Sequence, residues 1–126
     1  MTNTTPKTRI LTVDDSASMR ALLKHALVAE GFEVDQADDG LAALDWLKQN
    51  DCDVVITDIN MPRMDGFGLI ESLRQNAIHE NRPILVLTTE SSDEKKAQAR
   101  SAGATGWIVK PFNAEKLAAA VRRVTH

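Results

Sequence analysis

Four stretches of the chain run apolar and β-branched and then stop at a side chain that can do chemistry. Arg9-Ile10-Leu11-Thr12-Val13 leads to Asp14-Asp15, and the run Asp53 to Thr57 leads to Asp58. Ile84-Leu85-Val86-Leu87 ends on Thr88, and Trp107-Ile108-Val109 ends on Lys110. Taken singly, each has a plain structural use, since Asp before a helix caps it and polar residues commonly open loops. Three carboxylates, a hydroxyl and an ammonium at the same kind of boundary are more than capping needs.

Carboxylates gathered in one place repel. Two unit charges about 4 Å apart cost roughly 4 kcal/mol at an effective dielectric of 20. Either one holds a proton or a cation sits among them. Asp14, Asp15 and Asp58 offer oxygen alone, without a histidine or a second cysteine nearby. That set selects a hard ion: magnesium, bound by one or two carboxylates, several waters and a phosphate oxygen, fits best, with manganese as the alternative. Lys110 and Thr88 would hold the remaining phosphate oxygens, one as a point charge and one as a hydroxyl donor. Because a carboxylate can itself accept a phosphoryl group, the residues describe a phosphate-accepting aspartate served by a metal, a lysine and a threonine.

Positioning these groups requires alternating strands and helices. After the first strand, Ser16 to Glu30 reads as a helix with Met19, Leu22, Leu23, Ala26 and Leu27 on its inner face. Asp15 or Ser16 caps its start and Gly31 ends it. Phe32 to Ala37 is a shorter, more polar strand at or near a sheet edge, and Asp38-Asp39-Gly40 turns into a helix through Gln49. The loop Asn60-Met61-Pro62-Arg63-Met64-Asp65 leads into a helix from Gly66 to Asn76. Pro83 opens the fourth strand, a place proline tolerates. Ser91 with Glu94 reads as a capping box for a helix to about Ala102, almost all charged or alanine and so weakly packed. Asn113 caps a last helix with Leu117, Val121 and Val124 inward. Strands alternating with helices, three of them continuous apolar runs, predict a parallel sheet covered on both faces: an α/β fold, as a three-layer α/β/α sandwich. In such sheets ligands bind beyond the carboxyl ends of the strands, where the five chemical residues fall.

Composition narrows the function. At 126 residues, 43% hydrophobic and 26% charged, the chain has the make-up of one soluble domain with a full core. The polar residues 1–8 read as a flexible tail, and 9–126 as the domain. Cys52 is alone, which excludes an internal disulfide and fits a cytoplasmic setting. No apolar run is long enough to span a membrane. A net charge of −3 gives no reason to expect nucleic acid as a partner. Residues 1–63 hold 6 Lys/Arg and 11 Asp/Glu, for a net of −5, while residues 64–126 hold 9 and 7, for a net of +2. The acidic half would suit a cation.

The pieces Val13-Asp14-Asp15-Ser16, Asp58-Ile59-Asn60-Met61-Pro62, Met64-Asp65-Gly66, Leu87-Thr88 and Val109-Lys110-Pro111-Phe112 resemble those of bacterial response-regulator receiver domains. The resemblance runs from Arg9 to the C-terminus and is strongest to stand-alone chemotaxis regulators of the CheY type. It implies a five-stranded flavodoxin-like sheet in the order 2-1-3-4-5. It further implies that Asp58 is the phosphoacceptor, taking its phosphoryl group from a sensor histidine kinase. Asp15 and Asp58 would bind magnesium with the backbone carbonyl of Asn60, and Asp14 would act mainly through water. Lys110 would pair with phosphoryl oxygens, Thr88 would move to hydrogen-bond one of them, and the Lys110-Pro111 peptide would be cis. The chain would not be an enzyme in the ordinary sense, catalysing only its own phosphorylation and dephosphorylation.

The same resemblance implies a switch. An aromatic on the fifth strand, Trp107 here where Tyr or Phe is commoner, would swing inward as Thr88 moves; if indole is too bulky, the switch is partial. The output face would join the fourth helix, fifth strand and fifth helix and carry Lys95, Lys96, Arg100, Trp107, Lys116 and Arg122. Asn60 and Glu90 match the pair that accompanies fast self-dephosphorylation, whereas Thr89 replaces a smaller residue and would hinder access. Nothing after the fifth helix supplies an output domain, so output is expected through a partner protein: a flagellar switch, a kinase from which phosphate is drained, or a phosphotransfer protein. A monomer is expected. Two rival readings fit less well. A flavodoxin needs a Ser/Thr/Gly-rich phosphate loop where this chain has Asp14-Asp15-Ser16, and a haloacid dehalogenase-type hydrolase needs an aspartate where Asn60 stands.

Overall fold

The computed structural model describes residues 7–125. The expected N-terminal tail lies outside them apart from Lys7 and Thr8, as does His126. Ten elements alternate: β1 (Arg9–Val13), α1 (Ala17–Ala29), β2 (Glu33–Ala37), α2 (Gly40–Leu47), β3 (Val54–Thr57), α3 (Gly66–Arg74), β4 (Ile84–Thr88), α4 (Asp93–Ala102), β5 (Gly106–Val109) and α5 (Ala114–Val124). The strands form one parallel sheet in the order β2-β1-β3-β4-β5.

Period-two alternation along the central strands builds a core on each face. Leu11, Val13, Val55, Ile84 and Val86 point to one side and pack with Ala43, Leu47, Leu69, Ile70, Leu73 and Ala99 of α2, α3 and α4. Ile10, Val54, Ile56, Leu85 and Leu87 point to the other and meet Leu23 and Leu27 of α1 with Leu117, Ala118 and Val121 of α5. Both faces are therefore dry, which is why β1, β3 and β4 read as unbroken apolar runs. The polar β2 is an edge strand, as its sequence predicts, and β5 is the other edge.

Each helix begins on a side chain that accepts from the N–H three residues on: Ser16, Asp39, Asp65, Ser92 and Asn113. Such a cap stabilises a helix by about 1 kcal/mol. Two expectations need correction. The cap of α4 is Ser92, whose Oγ accepts from Lys95 N, so the frame read from Ser91 and Glu94 is one residue early. Leu22 is 57% exposed, because the face of α1 that meets the sheet is narrow and is filled by Leu23 and Leu27. As expected, α4 packs lightly, burying only Ala99.

Candidate functional site

The register brings the carboxyl ends of four strands to one edge in steps, with Asp14 and Asp58 level with Leu87, Thr88 one residue further out and Lys110 one beyond that. Val13 pairs with Thr57, Thr57 with Val86, and Thr88 with Val109. Backbone bonds carry the alignment one residue beyond the sheet: Asp14 N donates to Ala37 O, Asp58 N to Val13 O and Lys110 N to Thr88 O, at 2.8 to 3.1 Å. Asp14, Asp58, Thr88 and Lys110 therefore stand on one rim, fixed by main chain that has no freedom to shift separately.

Lys110 joins two of the strand ends directly. Its Nζ lies 2.8 Å from Asp14 Oδ2 and 2.7 Å from Asp58 Oδ2, and all three side chains are largely shielded from water, Asp14 most of all. The ammonium is thus the counter-charge that two neighbouring carboxylates demand. Burial alone would lower the Lys110 pKa, but the hydrogen bonds and charges of Asp14 and Asp58 outweigh it and hold the pKa above its ordinary value. The second oxygens are held by backbone: Asp14 Oδ1 accepts from Ser16 N at 2.9 Å and Asp58 Oδ1 from Ile59 N at 2.6 Å. Arg20 Nη1 donates to Asp14 O at 2.6 Å, tying α1 to the same rim.

The remaining residues read from the sequence sit around this triad without joining it. Asp15 and Asn60 are exposed on the adjoining loops, as is Thr89. Thr88 is fully buried, and its Oγ accepts from Glu90 N at 3.3 Å. Trp107 is half-buried, with its indole Nε1 donating to Glu90 O at 3.1 Å. The Lys110-Pro111 peptide is cis. Lys95, Arg100 and Lys116 are exposed and Lys96 half-buried, with the Lys95 ammonium 5.6 Å from the centre of the Phe67 ring. Arg122 departs from the expected output face: it lies against Phe32 and donates to Glu30 O at the far end of α1.

Sequence reasoning missed one arrangement beside the rim. Asp39 is buried and forked by Arg63, with Nε 2.5 Å from Oδ2 and Nη2 2.9 Å from Oδ1. The guanidinium, ahead of the opposing burial, holds the Asp39 carboxyl below the ordinary aspartate range. The signal available was Asp-Asp-Gly before a helix, which also describes any solvent-facing turn.

A magnesium ion would meet suitable chemistry here. Every donor is oxygen, Asp15 is exposed and free of hydrogen bonds to the other described residues, and the Asp58 carboxylate is held but partly open, with Asp14 buried behind it. Among the described residues no three His, Cys, Asp or Glu side chains converge into a cage. A partial oxygen set completed by water and a phosphate oxygen is how magnesium, rather than a caged transition metal, is bound.

Among known proteins, the response regulator receiver domain matches residues 10–122. The chemotaxis protein CheY-3 of Vibrio cholerae is 44% identical over 110 residues, covering 86% of this chain and 85% of that protein. The response regulator MprA of a Mycobacterium species is 40% identical over 114 residues, and there the chain spans only 49% of the relative. The crystal structure of the chemotaxis response regulator CheY4 of Vibrio cholerae superposes with a TM-score of 0.88 at 44% identity, over 94% of this chain and 99% of that one. A response regulator structure from Chloroflexus aurantiacus reaches 0.91 at 31% identity, over 95% and 98%. With a family match over most of its length and a closely similar fold, the chain belongs to the response regulator receiver domain family.

Proposed function

We propose that this chain is a phosphorylation-controlled signalling protein whose phosphoacceptor is Asp58. The observation that carries the reading is the bridge from Lys110 Nζ to Asp14 and Asp58, built from strand ends far apart in sequence. Asp58 is the carboxylate suited to react: it is nearer solvent than Asp14, yet held by lysine and backbone, as Asp15 is not. One of its oxygens attacks phosphorus as the bond to the donor, a kinase phosphohistidine, breaks and its electron pair leaves with the imidazole. Asp15, Asp58 and the Asn60 carbonyl would hold magnesium, with Asp14 acting through water. When bound, the ion neutralises charge on carboxylates and phosphoryl oxygens. Lys110 then exchanges a carboxylate oxygen for a phosphoryl oxygen, and Thr88 offers its hydroxyl to another. Asn60, Thr89 and Glu90 line the approach and set the lifetime of the phosphoryl group.

The names of the relatives favour chemotaxis as the pathway. Output would pass to a partner protein through the α4–β5–α5 face with Lys95, Lys96, Arg100, Trp107 and Lys116, the protein working as a cytoplasmic monomer. A phosphate sink or relay is the alternative, and capture of a motor protein by the phosphorylated form alone would decide for motor output. Among the described residues no helix is long and apolar enough to cross a membrane. The test is mass spectrometry after acetyl phosphate and magnesium: the wild type should gain one phosphoryl group and Asp58→Asn none. Equal labelling of both, or of neither, would remove the proposal.

A further inference from the structure

We propose that Arg63 is a positioning residue for the phosphorylation site, acting through the loop that follows β3; the inference rests on the reading just given. The loop carries Asn60 between Asp58 and a tight turn. Met64 N donates to Pro62 O at 2.7 Å, closing a three-residue turn with Arg63 at its centre. Arg63 there has φ of 64°, the one non-glycine residue with positive φ among those described. A γ-turn of this hand is rare and strained, and an arginine does not choose it on its own.

What holds the turn is the start of α2. Asp39 grips the guanidinium with both oxygens, and Gly40 N donates to Met64 O at 3.1 Å. The same Asp39 caps α2 by accepting from Ala42 N at 2.8 Å, so the carboxylate is itself fixed from behind. Gly40 is what lets the two segments come this close, since a Cβ there would lie 2.8 Å from Met64 O. At the far end, Gly66 N donates to Ile59 O at 2.8 Å. The backbone of Asn60 is therefore suspended between the Gly66–Ile59 bond and a turn held against α2, and of these holds only the Arg63 fork depends on a side chain that solvent can reach.

Groups that orient ligands without touching the ion commonly govern affinity about tenfold or more. Releasing Arg63 lets the turn relax and the Asn60 carbonyl wander from Asp58. Magnesium alone, titrated calorimetrically, should bind Arg63→Ala about tenfold more weakly than wild type. Charge by itself predicts the opposite sign, because losing a cation near a dication site tightens binding. Arg63→Gly should fall between them, glycine adopting positive φ freely. Without metal, the Met64 amide should exchange with solvent faster in Arg63→Ala than in wild type, and Asp39→Asn combined with Arg63→Ala should add little to either single change. Equal or tighter magnesium binding by Arg63→Ala overturns the inference while leaving Asp58 as phosphoacceptor untouched. A wild type that binds no magnesium overturns the underlying reading, and this inference with it.

Discussion

Lys110→Met keeps the reach of the side chain and removes its charge, which isolates what the bridge does. In the absence of divalent cations the change leaves Asp14 and Asp58 facing each other, with only 3% and 13% of their side chains exposed. Breaking a buried pair by deleting one partner typically costs 3–5 kcal/mol. Backbone N–H groups still hold one oxygen of each carboxylate, so a loss of about 3 kcal/mol, the low end, is expected. Urea denaturation at pH 7 with and without magnesium chloride measures it. The ion can take over as counter-charge, so the deficit should shrink by half or more in magnesium. The wild type carries a complementary signature. Because its folded Lys110 pKa is raised, the stability from the bridge is complete below pH 10.5 and is lost as pH rises past that value, and Lys110→Met should lack this loss. A deficit of the same size with and without magnesium would refute the reasoning, since it would then come from packing.

Four other outcomes can be checked. Burial pushes the Cys52 thiol up to about 11 from 9.0, so about 2–3 kcal/mol of stability should disappear between pH 9 and 11; Cys52→Ala should remove that step, and the native thiol should resist a disulfide reagent at pH 8. Trp107→Phe deletes the bond to Glu90 O and should lower stability by about 1 kcal/mol while speeding amide exchange in residues 89–91, read by mass spectrometry. Gly40→Ala should destabilise by about 1–3 kcal/mol in urea despite the better helix propensity of alanine, because the added Cβ meets Met64 backbone. Thr89→Ala should speed labelling of Asp58 by acetyl phosphate, and an unchanged rate would show that the exposed hydroxyl is no obstacle.

The sheet and its rim were legible because several signals agreed. Apolar runs marked β1, β3 and β4, and each ended on a polar residue that no core could bury unpaired. That both faces of the sheet are covered followed from the same runs, whereas which strand residue points to which face came from the structure. The direct contact of Lys110 with Asp14 was not legible: sequence set both residues on one edge, but a bridge depends on register to within one residue. Arg63 and Asp39 were missed for a related reason. Their segments lie 24 positions apart, and each has local turn chemistry that explains it without the other. The slip from Ser92 to Ser91 shows the limit of a motif in a serine pair, where both frames supply a hydroxyl. Leu22 was assigned inward by periodicity alone, which locates a stripe but not its width.

Glu90 touches both the buried hydroxyl and the indole, through opposite ends of its own backbone. Its N–H is bonded to Thr88 Oγ and its carbonyl to Trp107 Nε1. These two groups belong to successive rigid peptide planes hinged at one Cα, so only the φ and ψ of a single residue lie between them. Any movement of Thr88 that keeps its bond must turn the first plane, and the second can stay still only if the hinge absorbs the rotation. Counted in soft torsions instead of ångströms, the rim of the sheet and the aromatic on its edge strand are two steps apart.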